Sequence, residues 1–349
     1  MEYMGEIKQQ LITMVLGKVS RELSGEVFNP AIIKSSPVYY KTAVPRQVIV
    51  GQEKFNIGGK EVTFLLRGYQ PDVLLIQTTI EVENIFHKEG VSALENQSYA
   101  HSYRILKEYG GDTLFSEGYS VFVVSNYAGD PDQFLKHRNV IVSLLKSETM
   151  NLDPQEVEYT LSSKIKYSNN DMSLIDWDGA FLFDPEGDIE EDLELLTLAN
   201  LQLLRYRILD HQLDARLARM VELVHNMPIS GLRLRGKEMA QRMKETMEIR
   251  MGAISELQRL ERDIKLIGDW YSARFYELAA GKFKIDEWRK TIRGKLESLE
   301  DTYSLVIGNF TVSVKHQVEW AQIIAFFILQ AGWFALLVIE LLHFFARKP

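Results

Sequence analysis

The closing stretch of the chain, VEWAQIIAFFILQAGWFALLVIELLHFFARKP (Val318–Pro349), decides the architecture of this protein. Ile323 to Ile339 contains no charged residue, and the wider apolar run extends from Ala321 to Ala346. A bilayer core about 30 Å thick needs roughly 20 helical residues to cross it. Because apolar side chains surround this run on all sides, whereas a soluble core helix usually keeps a polar stripe, the sequence predicts one transmembrane helix over 320–346.

Polar and aromatic residues indicate which parts of this segment lie at the membrane interfaces and which lie in the bilayer core. Trp320 marks one membrane interface, and His343, Arg347 and Lys348 mark the other. Gln330 falls near its middle and Glu340 towards its end. Glu340 either reaches the lipid headgroups or, with Gln330, forms hydrogen bonds between neighbouring spans. The candidate span and interface residues are Trp320, Gln330, Trp333, Glu340, His343, Arg347 and Lys348.

The amino terminus, MEYMGEIKQQ, bears on orientation. It lacks a basic region followed by an apolar core, and it lacks the arginines of a mitochondrial transit peptide. We therefore expect the part before the span to stay in the cytoplasm or an equivalent compartment. Arg347 and Lys348, beyond the span, favour the opposite orientation weakly.

Charge divides the chain into an acidic head and a basic stalk. Residues 1–229 hold 21 Lys and Arg against 33 Asp and Glu, a balance of −12, whereas residues 230–320 hold 17 against 14, a balance of +3. The acidic balance argues against a nucleic-acid partner for the head, because phosphates repel it. The basic segment would be attracted to an anionic membrane surface.

The head, over 26–184, is predicted to be an α+β domain with a mostly antiparallel or mixed sheet. Residues 46–82 are rich in β-branched and aromatic residues, and Thr113–Asn126 (TLFSEGYSVFVVSN) is the best strand candidate. The remaining predicted elements are helices from about Val91 to Glu108 and from Asp130 to Ser147, and strands at Val157–Thr160, Lys164–Tyr167 and Ala180–Phe183.

An amphipathic helix is predicted for the first segment, 1–25. Met4, Ile7, Leu11, Val15 and Val19 recur at helical spacing there. This helix would pack on the head or, alternatively, lie on a membrane or a partner.

Three long helices are predicted for the stalk, 185–319. The first covers Asp188 to His225, and Gly281 separates the second from the third. Their apolar stripes recur at about 3.5 and about 3.6 residues, typical of coiled coils and of helices with one buried face. These stripes pack either within a helical hairpin or between subunits. The candidate self-association residues are Ile254, Leu257, Ile264, Tyr271, Ile292, Leu299, Tyr303 and Phe310.

Catalytic and cofactor motifs are not recognised in the sequence. The carboxylate-rich run from Asp184 to Glu194 fails as an EF-hand loop, since Gly187 is its fourth position and Leu195 its twelfth. The chain has no cysteine, and neither His-Glu-x-x-His nor Gly-x-Ser-x-Gly occurs. The sequence therefore predicts a protein that is not an enzyme and uses no metal or cofactor.

Three segments carry a family resemblance. They are EGYSVFVVSN (Glu117–Asn126), LTLANLQLLRYRILDHQLD (Leu196–Asp214) and the closing Glu-Trp, apolar run and Ile-Glu. This order resembles the domain-of-unknown-function-155 family, also named required for meiotic nuclear division or Sad1-interacting factor. The resemblance implies a membrane-anchored oligomer without enzyme activity, linked in mitochondrial members to organising translation near the inner membrane. A weaker analogy is the CorA-type magnesium channel, but that family needs two spans and a Gly-Met-Asn tripeptide.

The expected function is that of a membrane-anchored, self-associating scaffold or tether. Its expected partners are membrane lipid, further copies of the chain and an unidentified protein at the head. The alternative is a subunit of an oligomeric ion channel or transport assembly that uses Gln330 and Glu340.

Overall fold

A computed structural model describes residues 6–28, 46–225 and 270–346, with scattered helical positions between 241 and 258. The chain divides into two compact units. The head unit consists of Met1–His211 with Glu256–Ile292, and the helical unit consists of Gln212–Ser255 with Arg293–Pro349. The head unit therefore includes chain that the sequence analysis assigns to the stalk.

A nine-stranded mixed sheet forms the centre of the head unit, within the described residues, in the order β2-β3-β4-β5-β1-β6-β9-β8-β7. All neighbouring strands are antiparallel except β6 and β9, which are parallel. The predicted fold class is thus confirmed. The strands are β1 (Lys8–Lys18), β2 (Glu26–Phe28), β3 (Gln47–Ile57), β4 (Lys60–Tyr69), β5 (Val73–Glu81), β6 (Ser116–Ser125), β7 (Lys164–Ile165), β8 (Met172–Ile175) and β9 (Gly179–Phe183).

The amphipathic helix predicted for 1–25 is wrong, because β1 occupies this segment. β1 lies between β5 and β6, and Leu11, Met14 and Val15 are fully buried. A strand covered on both faces needs apolar side chains at successive positions, which removes the period of two. The residues at helical spacing, such as Leu11 and Val15, are members of this continuous apolar run.

The remaining elements among the described residues are helices. They are α1 (Lys88–Glu108), α2 (Arg138–Leu145), α3 (Pro154–Leu161), α4 (Glu190–His225), α5 (Trp270–Lys282) and α6 (Ile285–Ala346), with short 3-10 helices at Thr113–Phe115 and Pro131–His137. The predicted helix at Val91 to Glu108 is confirmed as α1. The strand predicted at Val157–Thr160 is wrong, since α3 covers it: Asp153 caps this helix by accepting from the backbone N–H of Gln155, and Pro154 starts it.

The sheet is covered on both faces, which makes the head unit a three-layer structure. On one face, Val15 and Phe122 share a core cluster with Ile105 of α1 and Ile141 of α2. The helices α4 and α5 supply the other layer. Their contacts include the Thr197 hydroxyl, which lies 3.3 Å from the Met14 sulfur. Side chains at successive positions of the central strands are therefore buried against different helices.

The helical unit contains the end of α4, from Gln212, and most of α6. Leu213, Met220 and Leu299 are fully buried. Lys295 and Asp214 form an ion pair with 2.6 Å between nitrogen and oxygen. The predicted third stalk helix and the apolar tail belong to one helix, α6.

Candidate functional site

The apolar end of α6 is the first candidate site. Of the residues that the structure describes, only Val318–Leu342 forms a helix long and apolar enough to cross a membrane, with 25 residues, a mean hydropathy of 2.2 and none of it buried. At roughly 1.5 Å per residue it is about 37 Å long, which exceeds the bilayer core of about 30 Å. Leu329, for example, is 74% exposed. Such a continuous apolar surface marks an interaction with lipid or protein.

The predicted polar residues of this helix lie on its surface. Gln330, Glu340, Trp320 and Trp333 are all exposed. Ten residues separate Gln330 from Glu340. That places their side chains about 80° apart around the helix and about 15 Å apart along it. The side chain of His343, together with Arg347 and Lys348, lies outside the described residues.

The predicted self-association residues divide into three groups. Ile292 and Leu299 are fully buried within the chain, and Leu257 is buried as well. Ile254 and Tyr271 are half-buried. The side chains of Ile264, Tyr303 and Phe310 lie outside the described part. The helical unit also exposes apolar side chains, namely Val221, Met247 and Met251.

A buried ion pair joins the sheet to α4. The Arg67 Nη1 of β4 lies 3.2 Å from the Glu194 Oε2 of α4. The Gln47 amide donates to the other carboxylate oxygen at 2.6 Å, and the Tyr69 hydroxyl donates to the same oxygen at 3.3 Å. The Gln77 side-chain oxygen accepts from the Arg67 Nη2 at 2.9 Å. Since both charges are compensated here, the cluster positions α4 on the sheet.

A second ionic cluster anchors the end of α5. Asp176, in the turn between β8 and β9, is 4% exposed. Its oxygens lie 3.0 Å from the Lys146 Nζ and 3.2 Å from the Lys282 Nζ of α5. Next to Lys282, the buried Phe283 ring packs edge-on against the Tyr119 ring at 5.4 Å between centroids. The corner between α5 and α6 is thus fixed to the sheet.

Acidic side chains and hydroxyl groups meet at the start of α4. The Ser173 hydroxyl donates to Asp192 at 3.4 Å, and the Ser272 hydroxyl of α5 donates to Glu191. Burial, and then the Glu191 charge, raise the pKa of Asp192 to about 8. Burial, and then the Asp192 charge, raise the pKa of the Tyr271 hydroxyl above its usual range. A protonated Asp192 therefore suits this contact near neutral pH.

A hydrogen-bonded chain of side chains lies between α1 and the sheet. The Ser120 hydroxyl donates to Glu95 at 2.5 Å, and the Tyr99 hydroxyl lies 2.8 Å from the Ser120 oxygen. Burial, and then the Asp178 charge, raise the pKa of the Glu95 carboxyl, while the Ser120 hydrogen bond opposes this. Glu95 is 6% exposed, so these hydrogen-bonded side chains are enclosed between α1 and the sheet.

The carboxylate-rich run Asp184–Glu194 is an ordered turn that leads into α4. The Asp184 Oδ1 accepts from the backbone N–H groups of Glu186 at 2.9 Å and Asp188 at 3.1 Å. Within the described residues, no group of three or more His, Asp or Glu side chains could hold a metal ion. The run forms a turn followed by the start of α4.

The ionic clusters were missed by sequence reasoning. Arg67 and Asp176 belong to no recognised motif and Glu194 ends the carboxylate-rich run, while the partners of all three come from distant parts of the chain. A lone arginine within a buried strand is the one signal that could have prompted a search for a buried acid.

The family model that matches this chain covers residues of the head unit. Residues 16–189 match the family model described as "Uncharacterized protein MJ0711, N-terminal domain". Uncharacterized protein MJ0711 of Methanocaldococcus jannaschii is 27% identical over 219 residues, 62% of this chain and 66% of that protein. The match thus spans just under two thirds of that protein. No solved structure matches.

The range matched by the family model corresponds to most of the sheet of the head unit. It begins inside β1 and ends just before α4, so it contains most of the sheet and excludes Val318–Leu342. The resemblance to the domain-of-unknown-function-155 family stays a prediction. The chain is similar, across the sheet of its head unit, to the amino-terminal domain of a protein whose own function is not characterised.

Proposed function

We propose that the chain is a single-pass membrane tether, with Val318–Leu342 in the bilayer and the head unit in the cytoplasm or an equivalent compartment. The observation that carries this proposal is the exposure of this whole apolar helix. Removing apolar surface from water contributes about 25 cal/mol per Å². A helix of this length that is covered by lipid gains this contribution along its whole surface.

A scaffolding role for the head is supported by how its buried charges are used. The Glu194 carboxylate is held by Arg67, and Asp176 is held by two lysines. Each cluster links a late helix of the chain to the sheet. These buried charges thereby serve the assembly of the head unit itself, which suits a protein that presents a surface to partners.

Self-association through the span is the second part of the proposal. The Gln330 amide, near the middle of Val318–Leu342, has two donor hydrogens and an acceptor oxygen. Hydrocarbon offers these groups no partner, whereas a second copy of the span does. The exposed Met247 and Met251 of the helical unit provide a further apolar surface for such contact.

An ion channel or transport subunit is the alternative, and the exposed Glu340 on the apolar helix is the observation that favours it. Gln330 and Glu340 are ten residues apart, about 80° around the helix, which fits within one helix face of about 100°. A pore in which both side chains face the axis is therefore compatible with this spacing. If Glu340→Ala abolished an ion flux that the wild-type chain supports in liposomes, the channel would replace the tether.

Membrane anchoring can be tested by flotation on a density gradient after carbonate extraction. The wild-type chain is expected to float with lipid, and the double variant Leu329→Arg, Leu336→Arg is expected to lose most of this fraction. Leu114→Arg, which changes a 57% exposed leucine of the head, is the matched control and should float. A wild-type chain that remained in the soluble fraction would refute anchoring.

Orientation can be tested with an introduced cysteine, because the chain has none of its own. Met150, 64% exposed on the head unit, is a suitable site. In intact cells Met150→Cys should resist a membrane-impermeant maleimide and should react after permeabilisation. Labelling in intact cells would place the head outside.

A further inference from the structure

The sheet of the head unit forks between β4 and β5. The ladder between these strands ends at the pair Phe64 and Thr78. β4 begins four residues before this pair, at Lys60, and β5 ends three residues after it, at Glu81. Beyond the last pair, β4 stays paired with β3 and β5 stays paired with β1. Two strand edges therefore diverge, with no ladder between them.

Backbone groups point into this fork. At its closed end the Thr78 hydroxyl donates to the Thr63 carbonyl oxygen at 2.9 Å, in a place where a backbone donor of β5 would otherwise lie. Since successive residues of a strand direct their backbone N–H and C=O groups to opposite sides, Thr63 and Glu61 both direct theirs towards the fork. Edge groups of this kind are a template for pairing with another strand.

A groove of about 470 Å³ occupies the open end of the fork. Its apolar lining comes from Ile57, Ile80 and Val91, which are buried, and from the half-buried Leu94 of α1. Volumes of roughly 300–1,000 Å³ are typical of ligand sites. Charged side chains of both signs complete the lining, with Lys60 on the β4 wall and the acidic Glu81 and Glu83 on the β5 wall.

We propose that this fork binds an extended peptide segment of a partner protein, which pairs as an added strand with the β4 and β5 edges that bound the fork. A strand of four residues is about 13 Å long, comparable to the length of the open edges. An apolar small molecule would fill the groove without using the backbone groups of Glu61 or the backbone N–H of Thr63. Strand addition satisfies both the edges and the apolar lining.

The lining also specifies the chemistry of the peptide. Because neighbouring side chains of a strand point to opposite faces, alternate apolar residues would contact Ile80 and Leu94. An acidic residue near Lys60 and a basic residue near Glu83 would complement the two walls. The partner segment is thus an alternating apolar and charged strand, and its binding is independent of membrane anchoring.

The test uses the full chain in mild detergent and fluorescein-labelled, capped heptapeptides. These carry valine at every second position and lysine, glutamate or threonine between, and binding is followed by fluorescence anisotropy. At least one peptide is expected to bind saturably. A series of peptides then carries one N-methyl group each, at successive central amides. In at least one of them binding should weaken at least tenfold, because the methyl group removes a hydrogen-bond donor and blocks strand pairing.

Protein variants locate the site. Leu94→Trp fills the groove and should weaken peptide binding at least tenfold, whereas Leu114→Trp, at an exposed position outside the groove, should not change it. The N-methyl series uses wild-type protein, so it remains decisive if Leu94→Trp fails to fold.

Four outcomes would overturn the proposal. In the first, none of the peptides binds saturably, and in the second, N-methyl groups leave binding unchanged. In the third, a folded Leu94→Trp protein binds peptide as tightly as the wild type. In the fourth, the chain self-associates and Leu94→Trp abolishes this self-association. The last result would assign the fork to a second copy of the chain.

Discussion

Arg67 and Glu194 form an ion pair of 3.2 Å across 127 residues of sequence, with side chains only 6% and 8% exposed. The pair connects β4 to α4. Gln47 and Tyr69 donate to the second carboxylate oxygen, so the Glu194 charge is solvated by protein groups in place of water. The attachment of the second helical layer therefore depends on charge compensation in addition to apolar packing.

Removing one partner of this pair should be strongly destabilising. Glu194→Ala leaves the Arg67 guanidinium buried without a counter-ion, and we expect the free energy of unfolding to fall by about 3–5 kcal/mol. Urea denaturation followed by tyrosine and tryptophan fluorescence measures this change. Glu61→Ala is the control, because it breaks the exposed ion pair with Lys54 and should change stability by less than about 1 kcal/mol. Equal effects of the two variants would contradict the role assigned to the buried pair.

The raised pKa of Asp192 predicts a pH dependence of stability. The folded-state pKa of about 8 lies above the ordinary value, so the folded state holds a proton that the unfolded state releases between about pH 4 and pH 8. This contribution to stability is complete below the ordinary pKa and is lost as pH rises through about 8. The loss reaches at most ~1.4 kcal/mol per pH unit.

Asp192→Asn keeps the shape of the protonated side chain and should remove this dependence. We expect the variant to be more stable than the wild type at pH 8 and similar to it near pH 4, in urea titrations across this range. Buried Glu95 also has a raised pKa and adds a slope of the same sign, so the difference between the two proteins is the relevant quantity. Asp112→Asn, the same change at an exposed carboxylate, is the control. Parallel wild-type and Asp192→Asn curves would contradict the raised pKa.

The sequence predicts those features that are encoded locally. The apolar run of α6 and the strand β6 are continuous one-dimensional signals, and both predictions agree with the structure. β1 could not be recognised because its central position makes successive residues apolar and removes the strand period. The pairing of Arg67 with Glu194 arises only when α4 packs on the sheet, so no local pattern indicates it. The sequence does not predict the fork either, since the fork depends on where the ladder between β4 and β5 ends.

The corner between α5 and α6 gives a third prediction. Phe283 is fully buried there, and its ring packs against those of Tyr119 and Trp177. Phe283→Ala should reduce the free energy of unfolding by about 3–5 kcal/mol, through lost apolar contact and a residual cavity. Hydrogen exchange should show faster exchange in α5. Met150→Ala, at an exposed site, should change stability by no more than about 0.5 kcal/mol. Unchanged exchange in α5 with Phe283→Ala would show that this ring does not hold the helix.

Gln330 provides the test of self-association. If its amide hydrogen-bonds to a second span, Gln330→Leu should weaken dimerisation about 3- to 30-fold, which corresponds to the roughly 0.6–2 kcal/mol that such bonds contribute in membranes. Energy transfer between donor- and acceptor-labelled chains in lipid vesicles, at several protein-to-lipid ratios, measures the change. Gln330→Asn retains an amide and should recover part of the affinity, whereas Phe326→Leu is an apolar control near the same face of the helix. Association of Gln330→Leu with wild-type affinity would exclude this amide from the contact between spans.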